Sequence, residues 1–185
     1  MKIRTRTMST MMVLTAALTS QGCSVMTHEL SLKGHTASQA GLQRSRERSV
    51  AVVFLNDRVK KKYETSTDGH SFVFNNTRQY YEQAFSSALR DSVGRIEFFG
   101  GKPPDAYDWY VYPELELDAS GIISHSCTAT YAVTIEDAAG RRLAREEKKS
   151  EHSFIAMDGG TAACASAISQ SFGATYAAFR RVDGQ

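Results

Sequence analysis

The chain has no H-E-x-x-H pair, no Walker-type glycine loop, no G-x-S-x-G elbow and no C-x-x-C. Those absences exclude the motif-bearing forms of zinc hydrolase, P-loop nucleotidase, α/β-hydrolase and thioredoxin-like protein. Nor is there a run of the about 20 apolar residues that a membrane-spanning helix needs. The nearest, Met8 to Leu18, is shorter and carries Ser9, Thr10 and Thr15. Cysteine is scarce, with three residues, Cys23, Cys127 and Cys164. The five histidines, His28, His35, His70, His125 and His152, are scattered. Only His125, Cys127, His152 and Cys164 offer the donor types of a Cys₂His₂ metal site, and simple burial or pairing of the cysteines accounts for them better. No metal, cofactor or catalytic residue is expected.

What is present begins at the amino terminus. Lys2, Arg4 and Arg6 form a basic start without any acid, followed by the apolar stretch and then Thr19, Ser20, Gln21 and Gly22. That is the three-part grammar of an export signal. Gly22-Cys23-Ser24 resembles the lipobox of bacterial lipoproteins, although Ser20 and Gln21 stand where that family usually has leucine and a small residue. The resemblance implies that residues 1–22 are removed and that Cys23 becomes the first residue, carrying a diacylglyceryl thioether and an N-acyl chain. A conventional signal-peptidase site nearby is the alternative. Ser24 in place of aspartate resembles the signal for transfer to the outer membrane, so an outer-membrane lipoprotein facing the periplasm is expected.

Processing changes the charge balance. The full chain has 22 basic and 20 acidic side chains; removal of Lys2, Arg4 and Arg6 leaves 19 basic against 20 acidic. The mature protein is thus close to neutral, which gives no support to nucleic-acid binding. If Cys23 is lipidated, Cys127 and Cys164 remain as an even pair in an oxidising compartment, where a disulfide is possible. Two separate buried thiols are the alternative.

Residues 23–48 are polar and read as a lipidated flexible tether, and 49–182 read as one α/β periplasmic domain. Val50 to Leu55 is an apolar β-branched run suited to a strand buried on both faces. Val59 to Glu64 and Ser71 to Phe74 flank a polar turn and suit a hairpin or a long loop. Asn76, with Gln79 three residues on, resembles a capping box for a helix with Tyr81, Phe85, Ala88 and Leu89 on its apolar face, stopped at Gly94. From Asp108 to Asp118 the odd positions Trp109, Val111, Leu115 and Leu117 are apolar and the even ones polar or amphipathic. Cys127, Ala129, Tyr131, Val133 and Ile135 repeat that period. Asp137 to Gly140 supplies a turn into Arg141 to Phe154, whose charge density suits an exposed edge. Thr161 is placed to cap a last helix striped by Cys164, Ile168, Phe172, Tyr176 and Phe179. By these periods Cys127 and Cys164 face one sheet–helix interface.

The expected fold is α+β, a single mixed or antiparallel sheet with two helices packed on one face. This element order, together with the lipobox, is similar in outline to small envelope lipoproteins such as the lipopolysaccharide-assembly lipoprotein LptE, the YajG type and CsgG-like or TolB amino-terminal domains. That likeness implies a non-catalytic structural or assembly role in a secretion, export or appendage machine. A periplasmic module for a lipid or other apolar ligand is the alternative. Two surfaces are candidates for a partner: Tyr110 and Tyr112, opposite in parity to the core positions, and the basic run Lys60, Lys61 and Lys62 beside Arg58.

Overall fold

A computed structural model describes residues 26–30, 32, 45–56, 59, 63–67, 70–118, 126–153 and 160–184. Its elements are β1 (Met26–Leu30), β2 (Ser45–Val53), β3 (Tyr63–Thr67), β4 (His70–Phe74), α1 (Thr77–Leu89), β5 (Val93–Phe99), β6 (Trp109–Asp118), β7 (Ser126–Asp137), β8 (Arg142–Ser153), α2 (Gly160–Ser171) and α3 (Gly173–Asp183).

The alternating strands meet as their periods require. β5, β2, β6, β7 and β8 form one mixed sheet in that order, with β2 parallel to both neighbours and β6–β7–β8 an antiparallel meander. The odd positions of β6 and β7 point at the helices. With Val50 and Val52 of β2 and Phe54 just past its end, they join Tyr81, Phe85 and Leu89 of α1, Ile168 of α2, Phe179 of α3 and Phe172 between those two helices in one core. The expected α+β fold, a mixed sheet with its helices on one face, is what the chain adopts. β8 is an edge strand, as its charge density suggests.

The last helical segment is bent. α2 ends at Ser171 and α3 starts at Gly173, with the Ser171 hydroxyl donating to the Ile168 carbonyl at 2.9 Å. A hydroxyl bonded back into the helix beside a glycine is a recognised cause of a kink. Gly173 also faces Lys148, whose Nζ would lie 3.3 Å from an added Cβ. All five residues of the expected stripe, from Cys164 to Phe179, are buried. Thr161 lies inside α2 rather than at its cap, because the helix begins one residue earlier.

Three local expectations are corrected. First, Gly94 does not stop a helix. α1 ends at Leu89, and Gly94 lies within β5, whose parallel pairing with β2 turns the chain extended. Second, the Asn76 side chain makes no cap bond; its amide reaches the backbone of Leu32 instead. Asn76 Oδ1 accepts from the Leu32 N–H at 2.8 Å, and Asn76 Nδ2 donates to the Leu32 carbonyl at 2.7 Å. The Thr77 hydroxyl donates to the Phe74 carbonyl at 3.2 Å. Third, the segment read as a flexible tether contains structure. β1 pairs in parallel with β4 from Met26↔His70 to Leu30↔Phe74, the Leu32 side chain is buried, and Ser45 already belongs to β2. Met-Thr-His-Glu-Leu alternates, and Thr27 and Glu29 are exposed, as the outer residues of a paired strand should be.

β1, β4 and β3 make a second sheet, in which β3 and β4 form the hairpin. It packs through Phe72 and Phe74 into the main core.

Candidate interaction surface

The helices cover one face of the five-stranded sheet. The other face carries the even positions of β6 and β7, so its character follows from Tyr110, Tyr112, Glu114, Thr134 and Glu136. Part of this face is closed by the segment after β5, which folds back and lays Tyr107 over Ala51 and Val53 in a small second core. Three contacts hold Tyr107 there. Its N–H donates to the Tyr110 hydroxyl at 3.1 Å, its own hydroxyl donates to Glu97 Oε2 at 2.6 Å, and its ring meets Phe99 edge-on at 5.6 Å. Arg95 lies over the same ring, 4.9 Å from its centroid, and donates to Glu97 Oε1 at 2.6 Å. The Arg95 and Tyr107 bonds hold the Glu97 carboxyl below its ordinary range. Burial and the bond to Glu97 push the Tyr107 phenol up to about 12.

Beyond this clasp the face is open. β2 pairs with β5 along its length and with β6 through Val50↔Trp109, Ala51↔Tyr110 and Val52↔Val111; just past its end the Phe54 N–H donates to the Phe99 carbonyl at 2.8 Å, while β6 runs on beyond it. The separation leaves a groove of about 490 Å³ lined by Val53, Leu55, Pro103, Tyr110, Tyr112 and Glu136, among others. A second depression of about 610 Å³ shares Val53, Leu55, Tyr112 and Glu136 with it and continues toward Pro113 and Glu114. Leu55, 56% exposed, is the exposed large apolar side chain among the described residues. Tyr110 and Glu136 are direct cross-strand partners, and Tyr112 lies one diagonal step away on the same face. Tyr112 is half-buried, and its phenol is raised by that burial and by the negative charge of Glu136.

The predicted site residues fall into distinct places. Tyr110 and Tyr112 share the open face and both line the groove, with the Tyr110 hydroxyl accepting from the Tyr107 N–H. Trp109, on the opposite parity, packs on Phe179 with Arg48 over its ring at 4.3 Å. Cys127 and Cys164 form a disulfide buried between β7 and α2, with Cα atoms 5.1 Å apart. That bond removes both thiols from any metal set, and among the described residues no group of three or more His, Cys, Asp or Glu side chains is placed to hold a metal ion. His152 instead meets Gln170 at 2.7 Å. Cys23, Arg58, Lys60, Lys61, Lys62 and His125 lie outside the described residues. Sequence reasoning missed Leu55, Glu136 and the clasping role of Tyr107. Glu136 had a legible signal, since it shares the even parity of Tyr110 once the two strands are paired.

No family model and no curated protein matches the chain. Among the solved structures that resemble it are two. One is a Xanthomonas campestris protein of the DUF330 family, 14% identical, covering 86% of this chain and 97% of its own with a TM-score of 0.48. The other is a Caulobacter crescentus protein described provisionally as a lipoprotein, 12% identical, covering 44% of this chain and 66% of its own with a TM-score of 0.24. Likenesses at this level carry no functional inference. Similarity to LptE, YajG-type or CsgG-like lipoproteins is not shown by these comparisons.

Proposed function

We propose that this chain is an exported lipoprotein, held by acyl chains on Cys23 at the periplasmic face of the outer membrane, that serves as a non-catalytic assembly component of an envelope machine. The observation that carries the proposal is the Cys127–Cys164 disulfide. Such bonds persist in oxidising compartments, and this one accounts for two of the three cysteines. Cys23, directly after the export-type segment, is left as the odd thiol and is the residue that lipidation would use. Three acyl chains give a stable anchor, since a single chain binds membranes only marginally.

The open sheet face supports an assembly role. It combines half-buried tyrosines, an exposed leucine and a groove, the composition of surfaces that other proteins bury. The rival reading, a module holding an apolar ligand between sheet and helices, is not favoured. Tyr81 stacks on Tyr131 at 5.4 Å, and Phe172 packs on Phe85 at 5.0 Å, so aromatic rings fill that layer. Metabolic labelling with radioactive palmitate in bacterial cells, followed by membrane fractionation, tests the proposal. Label in the wild type and none in Cys23→Ser supports it; a protein recovered unlabelled from the soluble periplasm would remove the anchor and with it the proposed role.

A further inference from the structure

β8 ends one side of the five-stranded sheet, and among the described residues no strand pairs with its outer edge. It runs for 12 residues, Arg142–Ser153, and contains no proline. Natural edge strands are kept from pairing by being short, by a bulge or a proline, or by charge. Charge is the device that β8 uses along most of its length, and its charges are of both signs. On the face away from the helices Arg145, Glu147, Lys149 and Glu151 alternate in sign along the strand, all exposed. The sheet itself offers them uncharged neighbours, since their partners on β7 are Thr134, Ala132, Thr130 and Thr128. Arg145 reaches past β7 to Glu114 at 3.2 Å. Among the described residues Glu147, Lys149 and Glu151 have no ion-pair partner. Charges that serve only to repel need one sign, whereas an alternating set read backwards is its own complement.

We propose that β8 pairs antiparallel with β8 of a second copy of this chain, about a two-fold axis at Lys148, so that the sheet continues through both molecules. An axis perpendicular to the sheet keeps each face on its own side, so residues opposite one another share parity and the axis passes through a residue. Centred on Lys148, Glu147 of one copy lies opposite Lys149 of the other, and Arg145 lies opposite Glu151. Every charge of the outer face then meets its opposite. Moving the centre by one residue undoes this. Centred on Glu147, Arg145 faces Lys149 and Glu147 faces itself; centred on Lys149, Glu147 faces Glu151 and Lys149 faces itself. Opposite charges across an antiparallel pair stabilise it and like charges oppose it, so the pattern admits one register and rejects its neighbours. On the helix face Lys148 meets its own copy, but its ammonium lies back against α3, 3.3 Å from where a Cβ on Gly173 would stand. Glu146, on the same face, is held by Arg181 at 2.8 Å and lies opposite the uncharged Ser150. The inference goes beyond the assembly-component reading and rests on neither the lipid nor the groove.

The test is sedimentation equilibrium of the full chain, purified from bacterial membranes in a detergent made neutrally buoyant so that the protein mass alone is read. The wild type should show a dimer in equilibrium with monomer. Glu147→Lys sets a like charge opposite Lys149, and Lys149→Glu sets one opposite Glu147. Each occurs twice by symmetry, so each should raise the dissociation constant by about tenfold, and by less as salt is raised. The double variant Glu147→Lys with Lys149→Glu restores opposite charges and should return the constant to the wild-type value. An equimolar mixture of the two single variants should do the same by forming a mixed dimer, a recovery that no change within one molecule can produce. Both positions are exposed, and retention of the wild-type far-ultraviolet spectrum shows that each variant folds; either single variant carries the test if the other does not fold. A wild type that stays monomeric at every concentration reached, a dimer that neither single variant weakens, or a loss that neither the double variant nor the mixture repairs would overturn the proposal. A monomeric protein leaves the palmitate result untouched, and loss of the anchor leaves the dimer untouched, so the two readings fail separately.

Discussion

Replacing Asn76 by alanine should loosen the amino-terminal segment from the domain. In the native chain the Asn76 amide holds both backbone groups of Leu32, at 2.8 and 2.7 Å, across a separation of 44 residues. The Leu32 side chain is 3% exposed and belongs to the main core. Two responses to the substitution compete. If the segment stays docked, an N–H and a carbonyl lose their partners in a part-buried site, costing about 1–3 kcal/mol each when water cannot replace them. If it peels away, the chain gives up the burial of one leucine, about 1.5–3 kcal/mol, together with the short β1–β4 ladder. The responses are of similar size, so a loss of about 2 kcal/mol is expected, divided between global destabilisation and local opening. Asn76→Asp keeps the acceptor for the Leu32 N–H but loses the donor to its carbonyl, so it should fall between wild type and alanine. Urea unfolding measures the total, and hydrogen exchange at Leu32 and β1 separates the two responses. A loss below about 0.5 kcal/mol with unchanged protection at Leu32 would refute the reasoning, because the two bonds would then contribute less than ordinary intramolecular hydrogen bonds.

The Cys127–Cys164 bond closes a separation of 37 residues, so replacing both cysteines by alanine should cost about 4 kcal/mol in the chain-entropy model, read as a fall in the urea midpoint; a loss under about 1 kcal/mol would contradict it. Two buried tyrosines should respond in opposite senses. Tyr131→Phe leaves the Thr175 hydroxyl without its 3.0 Å partner and should destabilise by about 1 kcal/mol, whereas the Tyr81 hydroxyl is buried without a partner, so Tyr81→Phe should be neutral or stabilising by about 1 kcal/mol; calorimetry checks both signs. The backbone N–H and side chain of Ser49 lower the Asp108 carboxyl below its ordinary value of 3.8. A group depressed in the folded state contributes stability above its unfolded value and loses it as pH falls through the folded one. Asp108→Asn should therefore lower the melting temperature at pH 7, and the difference should shrink as pH falls below 3.8 and disappear once the carboxyl is protonated in the folded chain too.

The sheet was legible where side chains alternate. In β6 and β7 every second residue is apolar, and this period alone placed Cys127 facing the last helix and Tyr110 and Tyr112 facing away from it. The final helix was legible for the same reason, its stripe surviving the bend at Phe172. β5 was missed because Val93–Phe99 has no clean alternation: Arg95 and Glu97 serve the Tyr107 clasp, while Ile96, Phe98 and Phe99 are only partly buried. Gly94 then read naturally as a helix stop. β1 was missed because five residues in a polar surrounding look like a linker until their partner β4 is known. Asn76 shows the limit of local signals. An asparagine three residues before a glutamine suits a cap on local chemistry alone, yet the amide is occupied by a backbone segment far away in sequence. The groove was illegible as such, since it arises where β2 and β6 part and not from any one strand's pattern.

The central claim is the lipid on Cys23, and intact-mass measurement of the protein from a bacterial membrane fraction, wild type beside Cys23→Ser, tests it most directly. The account predicts a wild-type species that begins at Cys23 and is heavier than the bare chain by a glyceryl group with three acyl chains, absent from the variant. A wild-type chain cut at another position and carrying no added mass would contradict it.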